Sequence, residues 1–208
     1  MSAFRFDAWR VAFFAAGALI LAGAPRHPRG TMAEMLVHHD WFMAHTLMVA
    51  AYVALVIGLV LFARVPGLSD NLRLWTRLAA GGAALEALEM TVHTAASADA
   101  ANLVAGLATP VLTTHLIMAL VIYPLFGTAI GAFMVKGMRE RAVGSPWIVW
   151  LGLITAVTHS IVMPLVYLLE IWWAGIFFPM ILGLGLWLIL SALWPARAGA
   201  TERLAAQP

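Results

Sequence analysis

Long apolar runs limit this chain more than any other feature of its sequence. The apolar residues come in six runs of about 20 residues or more, and about 20 residues is the length that a helix needs to cross the hydrocarbon core of a bilayer. Backbone polar groups find no water in lipid, so such runs must form helices or a closed barrel. These runs do not alternate polar and apolar residues and are rich in Leu, Ala, Ile and Gly. We therefore predict an all-α integral membrane protein.

The composition supports one transmembrane domain over the whole chain of 208 residues. Hydrophobic residues make up 63% and charged residues 11%, which is too few charged residues to cover a soluble globular domain. The predicted membrane helices cover residues 6–24, 36–63, 74–96, 110–136, 146–169 and 176–194, and a short polar tail covers 197–208. The first run also resembles a secretory signal, with small residues before Pro25. Proline after the cut is unfavourable for cleavage, so we expect this run to stay as a membrane helix.

The basic residues predict the orientation of the six-helix bundle. Six crossings place both termini on one face, together with the loops at 64–73 and 136–146. That face would hold Arg5, Arg10, Arg64, Arg73, Arg77, Lys136, Arg139, Arg141, Arg197 and Arg203, and the other face only Arg26 and Arg29. Basic residues accumulate on the cytoplasmic side of membrane proteins. The pattern predicts cytoplasmic termini and a multi-pass protein of a bacterial-type inner membrane, and the basic residues need no nucleic acid to explain them.

Four histidines carry the main functional signal, one on each of four predicted helices: His45, His93, His115 and His159. From the rise of about 1.5 Å per helical residue, they lie roughly 5–14 Å below the outer surface. The cytoplasmic half has no comparable histidine. We expect the four side chains to face a common centre inside the bundle.

Two carboxylates accompany these histidines on the third predicted helix. Glu86, Glu89 and His93 follow the spacing i, i+3, i+7 and therefore share one helix face. A carboxylate near the middle of a bilayer costs at least about 2.5 kcal/mol unless it is paired, protonated or bound to metal. Glu86 and Glu89 are therefore expected to point inward, where they are candidates for a proton relay.

Bis-histidine ligation of a haem b is the first interpretation, because facing helices of a bundle commonly hold haem in this way. The arrangement resembles that of membrane cytochromes b, a resemblance that rests on histidines in separate helices and covers the second to fifth helices. It implies a redox protein with one haem in the outer half, for which we predict His45 and His115 as the axial pair. Quinone or another redox partner would then exchange electrons with it.

A directly bound copper, iron or zinc ion is the alternative, with the same four histidines and two glutamates as ligands. Each histidine also has a methionine at helical spacing, and soft thioethers favour copper(I). These methionines are Met48, Met90, Met118 and Met163. Such a protein would be a metal carrier, a transporter or a metal-dependent membrane oxidoreductase.

A third interpretation assigns no cofactor, because histidines also hydrogen-bond between membrane helices in structural or substrate-binding proteins. The chain has no cysteine, which excludes disulfides and thiolate metal sites, and it lacks the HExxH, P-loop, GxSxG and dinucleotide motifs. Whether the protein is an enzyme stays open at this point. Its expected surroundings are the lipid bilayer and further copies of itself or subunits of a membrane complex.

Overall fold

The computed structural model of the protein describes residues 7–194, and within them every regular element is helical. The α-helices are α1 (Ala8–Gly23), α2 (Met32–Leu36), α3 (Trp41–Phe62), α4 (Asp70–Ala95), α5 (Ala100–Val104), α6 (Pro110–Arg139), α7 (Pro146–Met163) and α8 (Ile181–Leu193). Short 3₁₀ segments cover Ala24–Arg26, Ala96–Asp99 and Trp172–Met180, and a π-helical turn at Pro164–Leu168 continues α7. The prediction of an all-helical chain is confirmed. The predicted tail at 197–208 lies outside the described residues.

The six long helices form a closed ring in which each packs against two neighbours. Around the ring the order is α1, α3, α4, α6, α7 and α8, and α8 packs back against α1. Consecutive long helices are thus always neighbours, which is the up-and-down arrangement of a helix bundle. The interior is filled mainly by apolar side chains, of which Trp187, Phe13, Phe62 and Phe133 are almost completely buried.

Five helical stretches within the described part of the chain are long and apolar enough to cross a membrane: Ala8–Arg26, Trp41–Phe62, Pro110–Arg139, Pro146–Leu168 and Trp172–Leu193. Large apolar side chains are exposed along the outside of the bundle, as contact with lipid requires. Helix α4 is as long as these stretches but is not one of them, because arginines, glutamates and a histidine interrupt its apolar sequence.

Helix ends differ from the predicted boundaries where local hydrogen bonds decide them. Helix α3 begins at Trp41, five residues after the predicted start, because the chain first forms the short helix α2. Helix α4 begins at Asp70 rather than at residue 74, since the Ser69 hydroxyl accepts a hydrogen bond from the backbone of Leu72 and caps the helix. Before α8, the chain runs through a 3₁₀ segment from Trp172 instead of starting a helix at 176.

The ends of α3, α4 and α6 meet under a cover formed by short elements. Helices α2 and α5 contact each other across this end of the bundle. Leu36 of α2 and Ala100 of α5 form a small apolar cluster there with Trp41, Ala96 and Leu112. We call this the histidine end of the bundle, because His45, His93 and His115 all lie close to it.

Candidate metal centre

Four imidazole rings lie in a continuous row at the histidine end. The ring of His93 is stacked on that of His115, with 3.7 Å between the ring centroids and 17° between the planes. On its other side, the centroid of His93 lies 4.4 Å from that of His45, and His45 lies 4.9 Å from His27. His45 and His115 are buried, whereas His27 is at the exposed edge. The row therefore leads from the protein surface into the bundle.

Backbone carbonyls select the tautomer of the two outer histidines. The Nδ1 atom of His45 lies 2.5 Å from the carbonyl oxygen of Trp41, and Nδ1 of His27 lies 2.9 Å from the carbonyl oxygen of Pro28. A carbonyl can only accept, so each Nδ1 carries the proton and donates it. The lone pair is then on Nε2 of each ring, which is the usual arrangement of a histidine that ligates a metal.

Two groups of ligand atoms overlap at His93. His27, His45 and His93 each offer one atom, and these atoms lie within 4.8 Å of one another. The same holds for Glu89, His93 and His115. We call these groups the outer triad and the inner triad. The outer triad consists of imidazoles only, whereas the inner triad includes a carboxylate.

Several of these ligand atoms are buried without any hydrogen-bond partner. They are Nε2 of His45, Nδ1 of His93 and one oxygen each of Glu86 and Glu89. A buried polar atom without a partner costs about 1–3 kcal/mol, and most proteins leave few of them. Four of the six such atoms in the described residues thus belong to the histidines and glutamates of this region, and each of the four can accept a proton or coordinate a cation.

Both glutamates of α4 are completely buried, and each contacts a histidine from another helix. One oxygen of Glu89 is hydrogen-bonded to Nδ1 of His115 on α6. One oxygen of Glu86 lies 2.9 Å from Nε2 of His159 on α7. The ring of His159 is also stacked on Tyr123, with 4.2 Å between the centroids. The two glutamate–histidine pairs thus form a polar layer between α4, α6 and α7, next to the row of imidazoles.

Two residues outside this set fix the positions of the ligating helices. The indole nitrogen of Trp41 donates to the carbonyl oxygen of Thr94 at 3.0 Å, which joins the start of α3 to the end of α4. Asp99 is buried and accepts a hydrogen bond at 2.9 Å from the backbone of Leu112, which holds the first turn of α6 one turn before His115. Both contacts set the spacing of the helix ends that carry the imidazoles.

The predicted site residues divide into three sets. His45, His93, His115 and Glu89 come together, and His159 joins Glu86 in the adjacent layer. Met48 and Met90 lie in the main apolar core and Met163 in a second apolar cluster, while Met118 is half-buried on α6. These methionines occupy packing positions, and a role for them as ligands stays a prediction.

His27 is the participant that sequence reasoning missed, because it lies in a loop with no helical spacing to the other histidines. Pro25 and Pro28 flank it and restrict the backbone around it. These two prolines are the one feature of the sequence that indicates a fixed position for the His27 side chain. The surrounding protein desolvates the ring and lowers the pKa of His27, which favours the neutral form that ligates metals.

A second group, formed by His38, His39 and Asp40, lies on the surface near the start of α3. Its ligand atoms also come within 4.8 Å of one another, and Nε2 of His39 lies 3.2 Å from the carboxylate of Asp40. The His39 side chain is 82% exposed, and Asp40 donates its backbone N–H to His38. These contacts are those of a solvated loop end, so the buried row of histidines is the stronger candidate.

Comparisons of the chain with protein-family models, with curated proteins and with solved structures found no match.

Proposed function

We propose that the protein is a membrane metal-binding protein that holds a copper, iron or zinc ion at the histidine end of its bundle. The observation that carries the proposal is the overlap of two triads at His93, with buried and unpartnered ligand atoms on His45, His93 and Glu89. Ligation by the outer triad of His27, His45 and His93 would use two imidazoles, those of His27 and His45, whose tautomers are already set by backbone carbonyls. The inner triad would add the negative charge of Glu89.

The donor set supports this class of ion. Imidazole suits zinc, copper and iron, and carboxylate oxygen is compatible with all three. The chain has no cysteine, so no thiolate competes for the ion. The hydrogen bonds from Nδ1 of His45 and His27 to backbone carbonyls are the outer contacts that orient ligating imidazoles and raise their basicity.

Ring packing favours an ion over the haem b that the bundle pattern suggests. A haem with His45 and His115 as axial ligands needs its iron and macrocycle between these two rings. The ring of His93 instead lies against both of them, at 4.4 Å from His45 and 3.7 Å from His115. The haem hypothesis, together with its quinone or redox partner, stays a prediction that the absorption spectrum of the purified protein tests.

The two carboxylate–imidazole pairs support a role in proton transfer. In each pair, a carboxylate and an imidazole lie within hydrogen-bond distance of each other, and both groups can bind a proton. The pairs are Glu89 with His115 and Glu86 with His159. Binding a cation, or changing its oxidation state, alters the charge in a low-dielectric interior, and nearby groups then gain or lose protons. We propose that these pairs release a proton when the cation binds and take one up when the cation leaves or is reduced, which suits a transporter or a metal-dependent oxidoreductase.

We further propose that α4 also crosses the membrane, which gives six crossings. Its 26 residues span about 39 Å at 1.5 Å per residue. Its polar residues in the middle of the helix are buried against neighbours, and its exposed side presents Leu74, Leu78, Leu85 and Leu88 to lipid. The low mean hydropathy of α4 thus arises from its inner face, and the outer face is as apolar as lipid requires.

With six crossings, the basic residues place both termini in the cytoplasm and the histidine end on the outer side of a bacterial-type inner membrane. Because the chain has no cysteine, single substitutions to cysteine test this topology directly. In intact cells, His39→Cys should react with a membrane-impermeant maleimide, and Arg141→Cys should react only after lysis. The opposite pattern would reverse the orientation, and reaction of both in intact cells would contradict six crossings.

Metal analysis of the purified protein tests the site itself. The full chain, with an affinity tag that contains no histidine, would be purified in detergent, loaded with each ion, desalted and analysed by elemental mass spectrometry. We expect one tightly held ion per chain, loss of that ion in His93→Ala, and retention in His39→Ala, which disrupts the surface group instead. Loss in His39→Ala with retention in His93→Ala would overturn the proposal, as would a Soret band from bound haem.

A further inference from the structure

Three arginines meet in a pocket at the opposite end of the molecule from the histidines. The pocket has a volume of about 300 Å³ and is lined by Val60, Ala63, Arg64, Arg73, Arg77 and Ala80. It lies between the last turn of α3 and the first turns of α4, where Arg73, Arg77 and Ala80 share one helix face. We call it the arginine pocket.

No described residue neutralises the positive charge of the pocket through an ion pair. None of the three arginines forms an ion pair with a carboxylate among residues 7–194. The nearby carboxylate of Glu140 is instead hydrogen-bonded to Ser69. Arg73 donates to the carbonyl oxygen of Ala63 at 2.5 Å, which anchors its guanidinium in the pocket. Like charges this close repel one another, so an anion among them is favoured.

The surroundings of the pocket are those of a lipid headgroup rather than of a soluble anion. The apolar run of α3 ends at Phe62, so the pocket lies where the hydrocarbon core ends. Directly below it, Ile57 and Val60 of α3 and Leu78 of α4 are 40–50% exposed on the outside of the bundle. Three guanidinium groups above an apolar strip match the phosphate and the acyl chains of one lipid molecule.

We propose that the arginine pocket binds the phosphate of an anionic phospholipid, whose acyl chains lie along the exposed faces of α3 and α4. Guanidinium groups bind phosphate oxygens through paired hydrogen bonds, and each basic residue near a membrane surface contributes about a fivefold increase in affinity for anionic lipid. A zwitterionic lipid offers the same phosphate but adds a cation that the three arginines repel. The site would therefore select lipids by net charge.

The test uses the purified full chain in a neutral detergent and short-chain phosphatidylglycerol and phosphatidylcholine with the same acyl chains. Native mass spectrometry would count the lipids bound per chain and give the apparent affinities. We expect phosphatidylglycerol to bind at least about tenfold more tightly, and its affinity to fall as salt rises because charge attraction is screened. Arg64→Gln and Arg77→Gln should each weaken it about fivefold, and the double variant about 25-fold. Arg29→Gln, at the histidine end, is the matched control and should bind like the wild type.

Three outcomes would overturn the assignment. One is equal binding of the two lipids, and another is an unchanged affinity in the double variant. A third is displacement of phosphatidylglycerol by inorganic phosphate at similar concentrations, which would make the pocket a small-anion site. Circular dichroism checks that the variants are folded. If the double variant is not folded, the lipid comparison and the phosphate competition, both on the wild type, still test the assignment of the pocket to anionic lipid.

Discussion

Replacing His115 by leucine should destabilise the protein more than removing both members of its buried pair. Glu89 is completely buried and His115 is 4% exposed, so neither has water as an alternative partner. His115→Leu leaves the carboxylate of Glu89 completely buried, with no hydrogen bond in place of the one to the imidazole. The double variant Glu89→Leu/His115→Leu removes the need for a partner altogether, and apolar pairs of similar volume are often as stable as buried polar pairs.

The expected magnitudes differ clearly between these variants. Breaking a buried pair costs about 3–5 kcal/mol, and each kcal/mol lowers Tm by about 2–4 °C in a chain of this size, so His115→Leu should melt roughly 6–20 °C below the wild type. The double variant should melt within a few degrees of the wild type. His39→Leu is the matched control at an exposed histidine, where substitutions change stability by no more than about 0.5 kcal/mol.

Helical circular dichroism followed during heating in detergent, with a chelator present, measures these differences without a contribution from metal. The chelator matters because a bound ion would stabilise the wild type more than either variant. If the double variant melts as low as His115→Leu, the coupling between the two side chains is absent. If His115→Leu melts like the control, Glu89 is not buried in the way that the pairing requires.

Three further predictions concern the metal, the pH and the packing. An ion supplied at about 100 times its Kd should stabilise the wild type by about 2.7 kcal/mol, which raises Tm by about 5–11 °C. Scanning calorimetry should show this rise in the wild type and no rise in His93→Ala. Acidification should release the ion, because only a neutral imidazole can be a ligand. The pKa of His27 is lowered from its ordinary value of about 6.5, so this ligand stays neutral to a lower pH than a free histidine. His27→Ala loses this ligand and should therefore release the ion at a higher pH than the wild type in equilibrium dialysis. In thermal melts, Gly17→Ala should destabilise the fold by about 1–3 kcal/mol, because the added Cβ would lie 2.5 Å from the carbonyl oxygen of Gly185. The control Gly81→Ala adds a Cβ with nothing within 4 Å. Because alanine favours the helix more than glycine does, this control should stabilise the fold by up to about 1 kcal/mol.

Helical spacing and hydropathy were sufficient to predict that His45, His93 and His115 lie towards the same end of the bundle. Their positions along the helices follow from counting residues along the apolar runs, at about 1.5 Å per residue. Their convergence also follows from the cost of exposing polar groups to lipid. The inward position of Glu86 and Glu89 was predictable on the same ground, and both are completely buried.

The partners of these side chains were not predictable, because they depend on how each helix is rotated about its axis. Nothing in the spacing distinguishes a contact of His159 with His45 from its observed contact with Glu86 on α4. The participation of His27 depends on the path of the loop after α1, and hydrophobic periodicity carries no information about a loop. The start of α3 at Trp41 likewise results from the turn that follows α2, not from a change in hydropathy.

Helix α4 carries polar residues of both proposed sites and still presents a mainly apolar outer face. It carries Arg73 and Arg77 near one end, Glu86 and Glu89 in its middle and His93 near the other end. Because α4 packs between α3 and α6, its buried face is covered by protein, and Leu74, Leu78, Leu85 and Leu88 are the large apolar side chains on its exposed face. The cost of the buried glutamates is thus confined to one helix, while its neighbours remain apolar enough to hold the bundle in the membrane. Apolar replacement of both glutamates together with their partners His115 and His159 should therefore preserve or increase stability while it removes the carboxylates of the proposed site, which is the relation between stability and function expected where polar groups are retained for binding.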